Sequence, residues 1–414
     1  MQKTLGAAVS RGTIRQRLQA GGRLLSALVS ITLEDSLQTA DSMNARGYGL
    51  PGKTRSRKIR FALRDGVLLA ASLGELVCFL LLFGMGKLDF YYFPALAGAE
   101  WTTAVAAFFS GNLFLLFDSY FYFHRGGNPM ALFEIQNFSF VYPKTQEPAL
   151  KEISFSLEEG ELFLLSGASG SGKTTLLRQL KPAIAPYGKR QGAVLYEGRP
   201  VEELEKRRAA LEIGFVFQSP DAQIVTDRVS SELAFGLENA GVPPEEIRRR
   251  VAEMAGFFGI EGWYHKAIEA LSGGQRQMLN LASVMVMNPK VLILDEPTSQ
   301  LDPVSAGNFI GMLEKLNREL GQTILLTEHR QEELFPLADR IGMMELGRLK
   351  QALPPKEMAA ALLEEQAHLS KALPTPAKIA WALGRRADLP LTMKEGRGFL
   401  AALPPSGHKL EKAN

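Results

Sequence analysis

Cysteine is almost absent from this chain: among 414 residues there is one, Cys78. A single thiol excludes an internal disulfide and suits a reducing compartment. Net charge is nearly absent too, at +3 from 47 basic and 44 acidic side chains. Bulk electrostatics therefore names no partner, and no nucleic-acid partner is expected. A cleavable leader is not legible either. The apolar run Leu24 to Leu33 is short, follows a long basic region and lacks a small-residue cleavage site. No internal repeat is present.

What is present is a mixture. A hydrophobic fraction of 46% with a mean hydropathy of −0.02 lies between soluble and membrane averages, and the length predicts about two or three domains. Residues 66–86, GVLLAASLGELVCFLLLFGMG, and 101–123, WTTAVAAFFSGNLFLLFDSYFYF, each have the ~20 residues that span a hydrocarbon core. Glu75 and Asp118 are their only charges, and each costs about 2.5–3.5 kcal/mol when central. Phe90, Tyr91, Tyr92, Trp101, Tyr120 and Tyr122 suit the membrane interfaces. Seven basic residues from Arg46 to Arg64 precede the first span, Arg125 follows the second, and the loop between them has only Lys87. The positive-inside rule then places both ends in the cytoplasm of a multi-pass plasma-membrane protein.

The most specific signal lies further on. Gly167-Ala168-Ser169-Gly170-Ser171-Gly172-Lys173-Thr174-Thr175 fits G-x-x-x-x-G-K-[ST] between an apolar strand and a helix. Glycines let the backbone N–H groups turn inward around an anion, and the helix N-terminus adds its dipole. Lys173 is expected at the β/γ-phosphates and the Thr174 hydroxyl at Mg²⁺. A second run, Val291-Leu292-Ile293-Leu294-Asp295-Glu296, is of strand length and ends in two carboxylates. Such a strand delivers acids to the sheet edge beside the phosphate loop. Asp295 is the expected Mg²⁺ carboxylate, and Glu296 the group that polarises an attacking water.

Leu271-Ser272-Gly273-Gly274-Gln275 together with the phosphate loop and LILDEPTSQLD resembles the ATPase domain of ABC transporters, over about Leu132 to Leu349. The resemblance implies ATP and Mg²⁺ as ligands. It places Tyr142 on the adenine, Gln218 at Mg²⁺ and at the membrane subunit, and His329 at the γ-phosphate. Ser299 to Asp302 would cross a dimer interface, with Gln300 where the family usually has alanine. Arg330 stands where it often has Asp. Ser272, Gly273, Gly274 and Gln275 would close on the nucleotide of a second ATPase domain, so a homo- or heterodimer is implied.

Upstream, a helix is expected to end at Ala45-Arg46-Gly47, stopped by Gly47 and Gly49, with an apolar face of Leu25, Val29, Leu33, Leu37 and Ala40. Residues 34–49 resemble the coupling region of the transmembrane subunit of energy-coupling factor (ECF) transporters, in which an Ala-Arg-Gly triplet ends a helix docked on the ATPase. The segments around Gln218 to Val225 and Glu232 to Asn239 look like the ECF ATPase pattern. Arg46 is thus the expected coupling residue, with Asp221 or Glu232 as its carboxylate partner.

The organisation expected is 1–60, cytoplasmic coupling helices; 61–126, two transmembrane helices; 130–353, an α/β ABC ATPase domain with a P-loop core, an antiparallel β subdomain and a helical signature subdomain; and 354–414, a Pro/Ala-rich tail or linker. The function expected is that of the ATP-hydrolysing energising subunit of an ECF-type importer of a vitamin or transition-metal ion. Its partners would be the remaining ECF membrane spans, a substrate-binding membrane protein and the lipid bilayer. Alternatives are a half-transporter, which would carry six spans of its own, and a non-transport ABC ATPase, which would carry none.

Overall fold

A computed structural model describes residues 36–50, 131–328, 331–365 and 373–403. All belong to one compact unit. The spans expected at 66–86 and 101–123 lie outside the described residues, among which no helix is long and apolar enough to cross a membrane.

The strands follow the apolar runs: β1 (Phe133–Val141), β2 (Leu150–Leu157), β3 (Leu162–Gly167), β4 (Lys189–Tyr196), β5 (Arg199–Pro200), β6 (Ile213–Val216), β7 (Val291–Asp295), β8 (Thr323–Thr327), β9 (Arg340–Glu345) and β10 (Arg348–Leu353). They form two sheets. A four-stranded antiparallel sheet has the order β2-β1-β4-β5, and a six-stranded sheet the order β10-β9-β3-β8-β7-β6. In the second, β9, β3, β8, β7 and β6 run parallel and β10 pairs antiparallel to β9.

Parallel strands are covered on both faces, so they read as unbroken apolar runs. Leu162 and Leu164 of β3 face one core while Phe163 and Leu165 face the other; Leu292 and Leu294 against Val291 and Ile293 repeat the division on β7. Because all five parallel strands end on the same edge, whatever follows β3, β6, β7 and β8 is gathered there.

The helices are α1 (36–45), α2 (Lys173–Gln179), α3 (Lys206–Glu212), α4 (Pro220–Gln223), α5 (Val229–Asn239), α6 (Pro244–Phe258), α7 (Gly273–Met285), α8 (Pro303–Leu320), α9 (Gln331–Leu334), α10 (Pro355–Glu364), α11 (Thr375–Ala382) and α12 (Met393–Ala401). Their starts have local causes. Ser272 and Gln275 form a reciprocal capping box at α7. Asp302 caps α8, with Pro303 in its first turn and Gly321 at φ +64 closing it.

Two features go beyond what the sequence reading specified. The described residues of the Pro/Ala-rich tail pack on the domain: Met358, Leu362, Leu373, Ala377, Ala380, Leu389 and Leu391 join the larger core. Helix α11 is also tied back, since Thr375 donates its N–H and hydroxyl to Glu332 of α9, at 3.0 and 2.9 Å. Prolines in this tail open helices, where no amide N–H is needed.

Helix α1 stops as expected, with Gly47 and Gly49 at φ +76 and +79. Its orientation is another matter. Leu37 is 67% exposed and Ala40 is exposed, whereas Ser42, Ala45 and Arg46 are buried. The expected apolar face is therefore not the docked face over the described part of the helix. The surface receiving α1 presents carbonyl oxygens and a carboxylate, which require donors, not hydrocarbon.

Candidate functional site

The loop after β3 closes into α2 by way of glycines that nothing else could replace. At Gly167, φ +152, an added Cβ would lie 2.4 Å from the Met344 carbonyl oxygen; at Gly172, φ +101, it would lie 2.8 Å from that of Ala149. Lys173 folds over the loop and donates to the Gly167 and Ala168 carbonyls at 2.8 and 3.0 Å. Burial holds its ammonium pKa below the ordinary value, while the Glu296 and Asp295 carboxylates pull it back up.

The carboxylates arrive by register. Asp295 pairs with Thr327 across β7 and β8, and its Oδ1 accepts from the hydroxyls of Thr327 and Thr174, each at 3.0 Å. Burial raises the Asp295 pKa; those two hydroxyls work against the rise and the Glu296 charge adds to it. Glu296 turns sharply off the strand at φ +45, a left-handed conformation that costs a side-chain-bearing residue of order 1 kcal/mol. Its N–H is held by the Thr327 carbonyl and hydroxyl at 3.1 and 3.0 Å. Its Oε2 accepts from Gln218 Nε2 at 3.0 Å. On the other wall the Tyr142 hydroxyl lies 3.0 Å from that of Thr175.

Tyr142, Lys173, Thr174, Gln218, Glu296 and Ser299 line one cleft of about 650 Å³, together with Ser169 and Gly170. It is wide enough for a nucleotide. Thr174, Asp295 and Gln218 offer only oxygen toward a cation, a set suited to Mg²⁺, which keeps waters and phosphate oxygens as further ligands. No group of three or more His, Cys, Asp or Glu capable of holding a metal by themselves occurs among the described residues.

Ser272, Gly273, Gly274 and Gln275 do not line this cleft; Ser272 and Gly273 are exposed at the start of α7. His329 lies outside the described residues, as does Arg330. Glu328 is buried and accepts from the Thr298 N–H at 2.6 Å.

A second constellation is built where α1 meets the ATPase. Arg46 Nη1 donates to Glu232 Oε1 at 2.5 Å, and Nη2 to the Gln223 carbonyl at 2.7 Å and to Ser42 Oγ at 3.0 Å. The guanidinium carbon lies 4.9 Å from the Phe235 ring centroid, a cation–π contact. Glu232 Oε2 is held by the N–H groups of Val225 and Thr226. Arg46 is 2% exposed and Glu232 fully buried. Of the two expected partners, then, Glu232 receives Arg46, while Asp221 pairs with Arg276 at 2.6 Å.

Thr39 and Ser42 add hydroxyl donors to the Ala222 and Gln223 carbonyls at 2.9 and 2.7 Å, and Asp41 pairs with Arg178 of α2 at 3.1 Å. These polar contacts escaped the sequence reading, although 39, 42 and 46 fall at three- and four-residue steps on one helix face. Gly47 leaves room for the approach: an added Cβ would stand 3.2 Å from Ala210 Cβ. Beneath lies Lys181, wholly buried, donating to the Ile213 carbonyl. Burial, with the Arg46 charge beside it, brings its pKa down to about 7.

A strand–glycine loop–helix cradle next to a strand-end Asp-Glu pair defines a P-loop nucleotide-binding domain. Comparison with known proteins narrows the class. A family model described as ABC transporter matches residues 150–299. An ABC transporter ATP-binding protein of Methanosarcina acetivorans is 35% identical over 246 residues, which cover 59% of this chain and 74% of that protein. The chain belongs to the ABC transporter ATP-binding family. A protein of the same description from Bacillus cereus is 49% identical over 231 residues, 56% of this chain but 42% of the relative. The chain thus aligns with under half the length of that relative. Among solved structures, cbiO1 from Clostridium perfringens, described as part of the ABC transporter complex cbiONQ, superposes with a TM-score of 0.51 at 31% identity, covering 58% of this chain and 96% of that one.

Proposed function

We propose that this chain is the ATP-hydrolysing, energising subunit of an ECF-type importer for a micronutrient, either a vitamin or a transition-metal ion. Residues 130–353 supply the ATPase and 354–414 its C-terminal extension. Residues 1–60 supply coupling helices and 61–126 two membrane spans that leave the ATPase in the cytoplasm. The observation that carries the reading is the burial of Arg46 against Glu232 in a groove made of the segment that follows Gln218. A helix ending in Arg46-Gly47 fits that groove residue by residue, and the likeness to a component of cbiONQ agrees with it.

In this reading Tyr142 stacks on the adenine and the loop amides from Gly167 to Thr175 surround the phosphates. Lys173 leaves the loop carbonyls for the β/γ-phosphate oxygens. Mg²⁺, held by Thr174, Asp295 and Gln218, would neutralise charge on the phosphates. Glu296, oriented by Gln218, accepts a proton from the attacking water as the water oxygen bonds to the γ-phosphorus and ADP departs. His329 stands at the γ-phosphate. Ser272 to Gln275 complete the site of a second ATPase domain, whose own signature completes this one. A separate substrate-binding membrane protein selects the cargo.

Expression of the chain with its neighbouring membrane subunits, followed by affinity purification from detergent, tests the assembly. Recovery of a stable membrane complex whose ATP hydrolysis is lost in the Glu296→Gln variant is the expected result. A protein that remains outside the membrane fraction and recruits no membrane subunit would end the importer reading.

A further inference from the structure

The strained turn at Glu296 is pinned at three successive residues, and one of the pins has no part in the chemistry described so far. Glu296 sits at φ +45, a conformation that persists only where its neighbours over-determine it. Its own N–H is held by the Thr327 carbonyl and hydroxyl. The next residue, Pro297, accepts at its carbonyl from Gln277 Nε2 at 2.8 Å. The one after, Thr298, is fully buried, and its N–H donates to Glu328 Oε1 at 2.6 Å.

Glu328 is a costly acceptor for one amide. It directly follows β8 and is 1% exposed, and a carboxyl group buried to that extent costs free energy unless its hydrogen bonds are made. Its backbone is fixed from across the sheet. Gln331 Nε2 donates to the Glu328 carbonyl at 3.1 Å, and Gln331 Oε1 accepts from Ser166 Oγ at 2.9 Å. Ser166 and Gln331 are themselves buried, and Ser166 directly precedes Gly167, the first glycine of the phosphate loop. A buried polar chain thus runs from the foot of that loop, through Gln331 and Glu328, to the amide two residues past Glu296.

We propose that Glu328 is a positioning residue for Glu296: by holding the Thr298 N–H it keeps the turn after β7 in its left-handed form and the Glu296 carboxylate at a fixed reach from the phosphate loop. Without that acceptor the Thr298 N–H would be buried with no partner. The turn would then relax by rotating about Glu296, where the strain lies. The carboxylate would leave its place beside Gln218 Nε2, now 3.0 Å away, and a misplacement of about 1 Å can cost ~10² in rate. This rests on Glu296 as the base under the proposed function, and adds the residue that aims it.

Steady-state kcat and KM for ATP, measured on the purified full complex beside its thermal midpoint, test it. Glu328→Ala should lower kcat by about 10-fold to 10²-fold, with KM changed by less than about twofold because the binding groups stay in place. Glu328→Gln keeps an acceptor at the same reach and should recover most of the loss. In a Glu296→Gln background, Glu328→Ala should lower kcat no further, since residues that act as one unit are not additive. A merely structural role would lower the midpoint and depress kcat equally in both backgrounds, and that result overturns the clamp. If Glu328→Ala fails to assemble, Gln331→Met, which frees the Glu328 carbonyl, decides in its place: a fall in kcat with KM kept supports the clamp, and an unchanged kcat overturns it. If Glu296→Gln is inactive while Glu328→Ala turns over normally, the clamp alone falls. If Glu296→Gln turns over normally, the assignment of the base falls and the clamp falls with it.

Discussion

The nucleotide cleft and the docking groove use the same materials in opposite conditions. In the cleft Gln218 and Thr174 are exposed and Tyr142 is 36% exposed, so its polar groups face open space that a ligand can fill. In the groove Arg46, Gln223 and Glu232 are all but sealed, and their main polar groups already have protein partners. One site is unfinished by construction and the other finished by the chain itself. The cleft's groups are therefore open to a ligand and tolerate solvent, whereas each member of the groove is needed to keep another from being buried alone.

The largest effects should separate the two sites most cleanly. Replacing Glu296 by Gln keeps the cleft's shape and its bond to Gln218 while removing the base, so ATP hydrolysis should fall by about 10²–10⁴ with nucleotide affinity retained. Measurement of turnover beside equilibrium binding of a labelled ATP analogue decides it, and near-normal turnover would remove Glu296 from its role.

Next comes the groove. Arg46→Ala strands the Glu232 charge, and breaking one half of a buried pair costs about 3–5 kcal/mol. The loss should appear as α1 undocking, read by faster amide exchange or proteolysis over 36–50. Since the cleft is built from other elements, ATP affinity should change far less. A variant that stays fully protected would show that the pair contributes nothing.

Lys181 offers a pH test of the groove alone. Its pKa is about 7 in the fold against an ordinary 10.5, so between those values the unfolded chain holds the extra proton. Stability should therefore rise with pH above about 7, by up to ~1.4 kcal/mol per pH unit, because the fold prefers the neutral amine beside Arg46. Denaturation midpoints from pH 7 to 9 should climb in the wild type and lose that contribution in Lys181→Met. Equal slopes would count against a neutral buried lysine.

The smallest effect is expected at Asp41. Its pair with Arg178 is partly exposed, at 30% and 25%, and burial raises the Asp41 pKa against the pull of Arg178. Asp41→Asn should cost under about 1 kcal/mol by chemical denaturation. A larger loss would place more of the docking energy on α2 than Arg46 and Glu232 leave for it.

The cleft was legible because its signals are local. Gly167 to Thr175 form one turn, Asp295 and Glu296 end one strand, and chemistry at such spacing needs no knowledge of neighbours. The edge of the parallel sheet then collects them. The groove was half legible. Arg46 and the glycine stop were visible, and Glu232 was one of two candidates. The buried face of α1 was not read from the sequence, because periodicity reports where apolar residues recur and not what the opposing surface requires. The tail was read only as a Pro/Ala-rich tail or linker, and its described residues pack because Leu373, Ala377, Leu389 and Leu391 find an apolar surface to cover.

The sequence by itself determined a phosphate loop, a strand-end carboxylate pair and a helix stopped after Arg46, since each follows from a few adjacent residues and their backbone preferences. Only the tertiary structure decided that Glu232 and not Asp221 takes Arg46, that Asp221 turns to Arg276, and that Lys181 lies buried beneath them with its pKa lowered. Those outcomes depend on which partners lie within hydrogen-bond reach across the fold, and on how much water is left between them.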